Sequence, residues 1–318
     1  MIIDTHVHLY PAEVARDPVA WATARGEAWW SQCVAPPDRP SLQGWATVDE
    51  LLRHMDEAGV DRAILQGWYW RNQATADEQN SWYAAWVGAH PDRLAAFAAV
   101  ATPDAATLES TRRRLDAGFI GLGELFPQIN GVSFDSDGWH ALMALAAEYR
   151  VPVTLHVSDP VASPPGPDPR ATPLEDSRDL ARRFPQQPFI LAHWGGGLPF
   201  HELNGRVARD LRNVYYDTAA SPLLYDKAIY RRVCDLIGSE RILWGTDYPL
   251  LTRPRRSHTP GFALDLEEIR AAGLSGAETT AILGGNASRL LGWPCGPRPF
   301  ARPHGRRSAK HGLLQEQG

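Results

Sequence analysis

The sequence predicts an α/β fold, a (β/α)8 TIM barrel, and three observations support this prediction. Eight short apolar runs occur along the chain, segments with helical periodicity separate most of them, and ionisable residues collect at the ends of several runs. A strand buried on both faces reads as a continuous apolar run, and a barrel alternates such strands with helices. A doubly wound open sheet is the competing fold, but a count of eight strands favours the barrel.

The predicted strands are short and bounded by turn residues, and they span 2–8, 62–67, 94–101, 119–125, 151–157, 189–193, 213–218 and 241–247. Helical periodicity predicts helices at 48–58, 78–89, 105–117, 139–149 and 172–184. Gly59 and Gly118 follow two of these helices and suit the left-handed position at which helices end. Ser275 and Glu278 form a capping-box pattern, which predicts a closing helix from 277 toward 291.

Two segments are longer than a minimal barrel requires. Residues 10–47 form an insertion after the first strand that is rich in tryptophan and proline, and residues 160–173 form a proline-rich excursion after the fifth. In a barrel both segments leave the carboxyl ends of strands, which is the face where active sites are built. We therefore expect them to act as lids or pocket walls.

The 318-residue chain has the composition of a globular protein, with 44% hydrophobic and 22% charged residues. We assign residues 1–296 to one barrel domain and residues 297–318 to a basic, disordered tail. The net charge of −5 argues against a nucleic-acid partner, with a nucleic-acid arm as the alternative interpretation of the tail. Three cysteines give no disulfide framework, and neither a signal peptide nor an apolar run of membrane-spanning length is found. We expect a cytoplasmic protein with no membrane contact.

The strongest chemical signal lies at the carboxyl ends of the predicted strands. His6 and His8 are two residues apart on the first strand, so they point to the same face and can bring two imidazoles to one cation. His156, His193 and Asp247 end three other strands. Burying such groups costs free energy unless they are paired or bound to a metal, so a divalent ion accounts for all of them together.

Two motifs accompany these residues: Trp-Gly-Thr-Asp-Tyr-Pro around Asp247, and Gly-Gly-Asn-Ala-Ser-Arg-Leu-Leu-Gly from residue 284. In order along the chain with His6-Val-His8, His156 and His193, they resemble the amidohydrolase superfamily. Within it they are similar to the amidohydrolase-related (amidohydrolase 2) group, which includes enzymes like aminocarboxymuconate-semialdehyde decarboxylase. The resemblance covers about residues 1–293 and implies that residues 1–296 are a barrel of this group.

The resemblance implies one divalent metal ion, usually Zn²⁺, held by His6, His8, His156 and Asp247. His193 is then expected beside the metal-bound water or the substrate. Three imidazoles and a carboxylate suit Zn²⁺ and leave an open position for a water whose pKa the metal lowers. Asp247 is expected to accept and deliver protons as the general acid–base catalyst, with His193 assisting it.

Glu124, in Gly-Leu-Gly-Glu-Leu, adds a carboxylate at the end of the fourth predicted strand. The same strand carries a bridging ligand in dinuclear members of the superfamily that the sequence resembles. Glu124 is therefore a candidate ligand for a second ion. The alternatives are that it hydrogen-bonds a metal ligand or contacts the substrate.

Four residues are candidates for substrate binding. Arg71 follows the second strand and is a candidate carboxylate clamp, because a guanidinium binds carboxylates through paired hydrogen bonds; a plain surface arginine is the alternative. Trp68 and Trp70 flank the same segment, and Trp30 lies in the first loop.

Eight of the twelve tryptophans precede residue 87, and we expect six of them at the barrel mouth: Trp21, Trp29, Trp30, Trp45, Trp68 and Trp70. Flat walls there predict a small-molecule substrate with a planar or apolar body. A protein contact surface is the other interpretation, and a homodimer is compatible with it.

Together these features predict a metal-dependent hydrolase that cleaves an ester, lactone or amide bond of a small carboxylate or aromatic substrate through a metal-activated water. The alternative is a non-oxidative, metal-dependent decarboxylase of an aromatic or unsaturated carboxylic acid, because the same ligands serve both reactions. Glu124 tilts the choice toward hydrolysis. A non-enzymatic small-molecule sensor is a third hypothesis, which the intact pair of His193 and Asp247 disfavours.

Overall fold

Eight parallel strands form one sheet in the order β1 to β8, in a computed structural model that describes residues 1–161, 172–254 and 256–292. The strands are Ile3–Val7 (β1), Arg62–Leu65 (β2), Leu94–Ala98 (β3), Gly121–Leu125 (β4), Val153–Leu155 (β5), Phe189–Leu191 (β6), Val214–Asp217 (β7) and Ile242–Leu243 (β8). Each lies within a predicted apolar run. The predicted tail at 297–318 and most of the 160–173 excursion lie outside the described residues.

The ends of the sheet meet, so the strands close into a barrel. Val7 forms a parallel bridge with Tyr248, just beyond β8. The backbone N–H of Thr5 donates to Trp244 O at 2.9 Å, and that of Asp247 donates to His6 O at 2.9 Å. These bonds confirm the predicted (β/α)8 barrel and bring the carboxyl ends of β1 and β8 side by side.

Helices connect the strands and cover the barrel. They are Ala12–Arg16 (α1), Pro18–Arg25 (α2), Ala28–Val34 (α3), Val48–Ala58 (α4), Gln73–Ala89 (α5), Ala105–Asp116 (α6), Asp137–Tyr149 (α7), Leu174–Arg183 (α8), Gly205–Asp210 (α9), Ser221–Leu224 (α10), Ala228–Ile237 (α11), Ala263–Arg270 (α12), Gly276–Thr280 (α13) and Asn286–Leu291 (α14). In the described part of the chain no helix is long and apolar enough to cross a membrane.

The helix signals in the sequence act as expected. Gly59 ends α4 in the left-handed conformation with φ 73°, where a residue without Cβ is unstrained. The capping box of Ser275 and Glu278 is formed at the start of α13. The closing segment continues through one π-helical turn, Ala281–Gly285, into α14, where Asn286 donates to the carbonyls of Ser239 and Ile242 at 2.7 Å.

Side chains alternate between two cores, as the pleat of each strand requires. Ile3, Ile64, Phe97, Ile190 and Leu243 point to the barrel interior and form one buried cluster. Their strand neighbours pack outward against the helices in a larger cluster. The interior is therefore closed by apolar residues, and the polar residues are left at the carboxyl ends of the strands.

The first loop folds into helices α1 to α3, followed by the segment 35–47. Five aromatic residues of this loop and the β2–α5 connection pack on one another; we call them the aromatic cluster: Tyr10, Trp21, Trp30, Trp45 and Trp70. Trp30 is fully buried at its centre, and its indole N–H donates to the hydroxyl of Tyr10 at 3.2 Å.

A buried carboxylate fastens this loop to the barrel. Glu27, between α2 and α3, accepts hydrogen bonds from the backbone N–H groups of Arg71 and Asn72, both at 3.0 Å. Asn72 precedes α5 and makes no capping bond with its own side chain. Glu27 therefore ties the first loop to the segment that leads into α5.

Candidate metal centre

His6 lies on β1 and His8 directly follows it, with their side chains on the same side, as the two-residue spacing predicts. Both are buried, and their Nε2 atoms lie 3.1 Å apart. The Nδ1 atom of His6 lies 2.8 Å from a carboxylate oxygen of Asp217, and that of His8 lies 3.0 Å from the carbonyl oxygen of Gln66. Each Nδ1 must donate to these acceptors, so each neutral ring keeps its Nε2 lone pair for the space between them.

His156 and His193 face the same space from β5 and β6. The Nδ1 atom of His156 lies 2.9 Å from Glu124 Oε1, and its Nε2 lies 3.0 Å from the hydroxyl of Ser158. The Nδ1 atom of His193 donates to the carbonyl of Ala219 at 3.1 Å, which leaves Nε2 facing inward, 3.5 Å from Glu124 Oε1. Both rings therefore point one nitrogen toward Glu124.

Glu124 lies at the centre of the four imidazoles. Its Oε2 is 3.6 Å from the Nε2 atom of His6 and 3.5 Å from that of His8, while Oε1 faces the other two histidines. Burial alone would raise the pKa of Glu124, but His156 and His6 outweigh it and hold the pKa well below its usual range. Glu124 is thus a buried carboxylate anion.

Asp247 completes the group from the end of β8. Its Oδ1 lies 3.5 Å from the Nε2 atom of His8 and 3.9 Å from that of His6. Its side chain keeps 16% of its surface exposed, more than Glu124 at 1%, so it is the more solvent-accessible of the two carboxylates. We call these six residues the histidine–carboxylate cluster: His6, His8, Glu124, His156, His193 and Asp247.

The turn after β6 that carries His193 is left-handed. Residues from His193 to Gly197 all have positive φ, between 56° and 90°. A Cβ on Gly195 would lie 2.8 Å from the Tyr216 ring, and one on Gly196 would lie 2.8 Å from the carbonyl of Ser158. The glycines therefore permit both the conformation and the close approach that bring His193 to the site.

The histidine–carboxylate cluster fits a cation. The lone pairs of His6 Nε2 and His8 Nε2 face each other at 3.1 Å, and the Nε2 lone pair of His193 faces a carboxylate oxygen at 3.5 Å. Acceptors at these distances repel unless a proton or a metal ion lies between them. Donor atoms about 2.1 Å from a tetrahedral ion lie about 3.4 Å apart, which matches the observed spacing.

The pKa values of two of the rings show the same preference for positive charge. Burial would lower the pKa of His193, but Glu124 and Asp247 outweigh it and raise the pKa to about 9. Burial acts in the same direction on His6, where Asp217 and Glu124 raise the pKa well above its usual value. The carboxylates therefore stabilise positive charge next to them, either as a proton on an imidazole or as a metal ion.

A cavity of about 210 Å³ opens onto this cluster. Trp68 and Tyr69 form one wall, with their rings stacked at 4.1 Å between centroids. The first loop forms the opposite wall with Val34, Pro36 and Leu42. The cavity thus has a polar end at the cluster and largely apolar sides.

The structure does not bring every predicted substrate-binding residue to this cavity. Trp68 lines it, whereas Trp30 and Trp70 are fully buried in the aromatic cluster. Arg71 is exposed and is not among the residues that line the cavity. Arg39, on the first loop, is the lining arginine instead.

The expectation of six tryptophans at the mouth is corrected in the same way. The indoles of Trp21, Trp30 and Trp70 pack on one another with centroids 5.2 to 5.5 Å apart, and Trp45 packs beside them. Packing these large rings against one another removes more apolar surface from water than lining an open cavity would. The tryptophan-rich segment is therefore mainly a core of its own.

Sequence reasoning missed Asp217, which orients two parts of the site. One carboxylate oxygen accepts from His6 Nδ1, and the other accepts from the backbone N–H groups of His193 and Ala219, both at 3.0 Å. The signal was present, since Asp217 is an ionisable residue at the end of an apolar run, as Asp247 is. A carboxylate behind a ligating histidine fixes its tautomer and raises its basicity.

Comparisons with known proteins identify a family and a fold for this chain. A sequence model of the Amidohydrolase family matches residues 3–293. No curated protein matches the chain.

Several solved structures share the fold. One is 5-carboxyvanillate decarboxylase from Sphingomonas paucimobilis, with a TM-score of 0.67 and 19% identity over 91% of this chain and 98% of that one. Another is 2,6-dihydroxybenzoate decarboxylase from Rhizobium, with a TM-score of 0.61 and 20% identity over 92% and 98%.

A third is 5-carboxyvanillate decarboxylase from Novosphingobium aromaticivorans, complexed with manganese and 4-hydroxy-3-methoxy-5-nitrobenzoic acid. It matches with a TM-score of 0.66 and 16% identity over 92% and 96% of the two chains. At such identities the likeness establishes the fold. Because the family match extends over nearly the whole chain, this protein belongs to the Amidohydrolase family.

Proposed function

We propose that the protein is a metal-dependent enzyme that removes a carboxylate group, without oxidation, from a small aromatic or unsaturated acid. The observation that carries this proposal is the cavity, in which one aromatic wall of Trp68 and Tyr69 adjoins the histidine–carboxylate cluster. Solved structures with the same fold include decarboxylases of substituted benzoates, and one of these is complexed with manganese. We thus propose decarboxylation in place of hydrolysis, which the presence of Glu124 in the sequence favoured.

The size of the cavity selects for a compact substrate. A cavity of about 150 Å³ holds a benzene molecule. The volume of about 210 Å³ found here therefore suits a single ring with a few substituents. The stacked pair of Trp68 and Tyr69 would pack against such a ring and bind it through aromatic contact.

Arg39 gives the cavity a positive group. It is the only arginine or lysine among the described residues that line the cavity, and Gln43 lies on the same wall. A guanidinium binds carboxylate and phenolate oxygens more strongly than a neutral donor does. We assign to Arg39 the anion-binding role that the sequence suggested for Arg71.

The residues proposed to hold the ion are His6, His8, His156 and Asp247, with Glu124 beside them. Imidazole and carboxylate donors suit Zn²⁺, and carboxylate donors also suit Mn²⁺. A bound divalent ion would supply Lewis acidity toward an oxygen of the substrate. Asp217, Gln66 and Ala219 keep three of the imidazoles in the tautomer that such an ion requires.

Asp247 is proposed as the proton donor. Its partly exposed carboxyl group lines the cavity, within reach of a ring held between the walls. The carboxyl proton passes to the ring carbon that bears the carboxylate, the bond between that carbon and the carboxylate breaks, and CO₂ leaves. Solvent then returns a proton to Asp247. His193, held by Asp217 and Ala219, directs its Nε2 toward the same space.

Hydrolysis is the second candidate, and the position of Glu124 favours it. A carboxylate at the centre of four imidazoles can serve a site with two ions, an arrangement common in hydrolytic enzymes.

The two candidates are separated by the product they release. Purified protein, loaded with Zn²⁺ or Mn²⁺, is incubated with hydroxylated benzoates and with aryl lactones, esters and amides, with and without a chelator. We expect chelator-sensitive release of CO₂ from at least one benzoate. Acid release from the lactones or esters without any CO₂ would replace the first proposal by the second.

A further inference from the structure

We propose that the hydroxyl of Tyr69 selects the substrate, by donating a hydrogen bond to an oxygen atom that the substrate ring carries in addition to its carboxylate. The inference rests on the proposed function, because it takes the ligand of the cavity to be a small aromatic acid. It adds to that function the class of ring, which bears a hydroxyl or alkoxy oxygen. The observation behind it is a hydroxyl on a buried residue that opens onto the cavity with no hydrogen-bond partner among the described residues.

Tyr69 lies in the connection between β2 and α5, and only 6% of its surface is exposed. Its hydroxyl forms no hydrogen bond with another described residue, yet it is not one of the fully enclosed side-chain atoms that lack a partner. Because Tyr69 lines the cavity, the cavity is the space onto which the hydroxyl opens. A phenol hydroxyl has one hydrogen to donate, so the cavity offers a bound molecule a neutral donor.

The groups around the hydroxyl keep it protonated. Burial raises the pKa of Tyr69 well above its usual value, and Cys33, Glu124 and Asp247 raise it further. These three residues all line the cavity, in agreement with a hydroxyl on the cavity side of the ring. Tyr69 can therefore donate a hydrogen bond there but does not act as an anion.

The ring of Tyr69 is held in place from several sides. It stacks on Trp68 at 4.1 Å between centroids and contacts Phe126 edge-on at 5.4 Å. Its third aromatic neighbour is His156, at 4.8 Å. The backbone N–H of Trp68 donates to Gln79 Oε1 at 2.7 Å, which ties the segment to α5. A hydroxyl on a ring fixed in this way has a defined position before a ligand binds, and this makes its hydrogen bond selective.

Tyr69 carries the only hydroxyl among the described residues that line the cavity. The other neutral donors on the walls are already engaged or out of reach. The side-chain N–H of Gln43 donates to the carbonyl of Gly44 at 2.7 Å, and the indole N–H of Trp68 is fully enclosed. A ring without an oxygen substituent would cover the Tyr69 hydroxyl and leave it unpaired, which costs free energy. The cavity should therefore favour a ring that brings an acceptor to this position.

The first test measures the binding of ligands that cannot lose CO₂. Nitroanisoles carry a flat nitro group in place of the carboxylate and a methoxy oxygen that only accepts hydrogen bonds, whereas ethylnitrobenzenes have a methylene group in place of that oxygen. The ortho, meta and para isomers of each are titrated against the intact protein, and quenching of tryptophan fluorescence gives Kd. We expect at least one nitroanisole to bind about 3- to 10-fold more tightly than its ethyl counterpart, which is the effect of one hydrogen bond.

Tyr69→Phe removes the hydroxyl and keeps the ring. This variant should lose the preference for the nitroanisole, while its Kd for the ethyl counterpart stays at the parent value. Tyr149→Phe is the matched control and should keep the preference, because the Tyr149 hydroxyl donates to Asp116 at 2.6 Å and does not line the cavity. Thermal melting confirms that both variants are folded.

Three results would overturn the proposal. One is a parent protein with no preference for any nitroanisole, and another is a preference of the same size in Tyr69→Phe. The third is an equal loss of both ligands in Tyr69→Phe, which would show that Tyr69 acts through packing alone.

The outcomes separate this inference from the proposed function. A preference for the methoxy ligand that depends on Tyr69, without CO₂ release from any benzoate, would keep the role of Tyr69 and remove the reaction. CO₂ release by a parent protein that shows no such preference would do the reverse.

Discussion

The histidine–carboxylate cluster and the aromatic cluster lie close together at the carboxyl ends of β1 and β2, yet they are built on opposite principles. In the first, buried acceptor atoms face one another, as the Nε2 atoms of His6 and His8 do at 3.1 Å. In the second, buried indole N–H groups have acceptors, because Trp30 donates to Tyr10 and Trp70 donates to Gln79. The first region is incomplete without a cation, whereas the second is complete by itself.

This difference predicts which property a substitution in each region will change. Removing a group from the histidine–carboxylate cluster should change what the protein binds, because its polar atoms face one another and the cavity. Removing a ring from the aromatic cluster changes the free energy of unfolding, since tightly packed aromatic rings leave a cavity behind. Four predictions test this division.

The largest expected effect is that of Asp247→Asn on catalysis. The amide cannot supply the proton, and loss of a general acid typically costs about 10²- to 10⁴-fold in rate. We expect kcat/KM to fall by that factor while the melting temperature stays near that of the parent. The metal content must be measured in the same samples. Turnover of a confirmed substrate at the parent rate would contradict the proposed role of Asp247.

The second effect is that of Trp30→Ala on stability. Trp30 is fully buried at the centre of the aromatic cluster, so truncation should cost about 3–5 kcal/mol of unfolding free energy. Chemical denaturation measures this cost. Val19→Ala on neighbouring α2 is the control, because Val19 is 49% exposed and should change stability by less than about 0.5 kcal/mol. The metal count of the folded Trp30→Ala protein should equal that of the parent; a lost ion would show that the two regions are not separable.

The third effect concerns Asp217, which supports the metal centre from behind. Asp217→Asn weakens the acceptor of the His6 Nδ1–H group, and loss of such a partner typically lowers metal affinity about 10- to 100-fold. Competition with a chromophoric chelator measures the affinity. Asp92→Asn, an exposed residue at the opposite end of the barrel, is the matched control. An unchanged affinity in Asp217→Asn would remove it from the metal centre.

The smallest effect distinguishes two arginines. Arg39→Gln should raise KM for an anionic substrate about tenfold with little change in kcat, because one charge-assisted contact is lost in both the bound and the transition state. Arg71→Gln should leave KM unchanged, since Arg71 does not line the cavity. The reverse result would restore the sequence-based assignment of Arg71.

The sequence predicted the barrel because its signals are local. Apolar runs mark strands, Gly59 marks a helix end, and the box of Ser275 and Glu278 marks a helix start. The ends of strands also predicted which ionisable residues meet, because in a barrel all strands end on one face. The grouping of His6, His8, His156, His193 and Asp247 followed from that rule.

The loops were predicted less well because their contacts are not local. Trp30 and Trp70 were expected at the cavity, but they meet within the aromatic cluster, 40 residues apart in sequence. Arg39 and Arg71 are both exposed loop arginines, and only the path of the first loop decides which reaches the cavity. Asp217 could have been found by the rule that found Asp247, applied to the seventh strand.

The hydrogen bonds of Glu27 to the start of α5 have a consequence for which parts of the first loop can change in sequence. Helices α1 to α3 are held by Glu27 and by the aromatic cluster, whereas the strip 36–43 is largely exposed and carries Arg39 and Gln43 into the cavity. Under the proposed function, the strip that contacts the substrate is thus separate from the residues that hold the loop in place. Mutations in 36–43 can alter the substrate range with little cost to folding, which makes this strip the natural target for a combinatorial library.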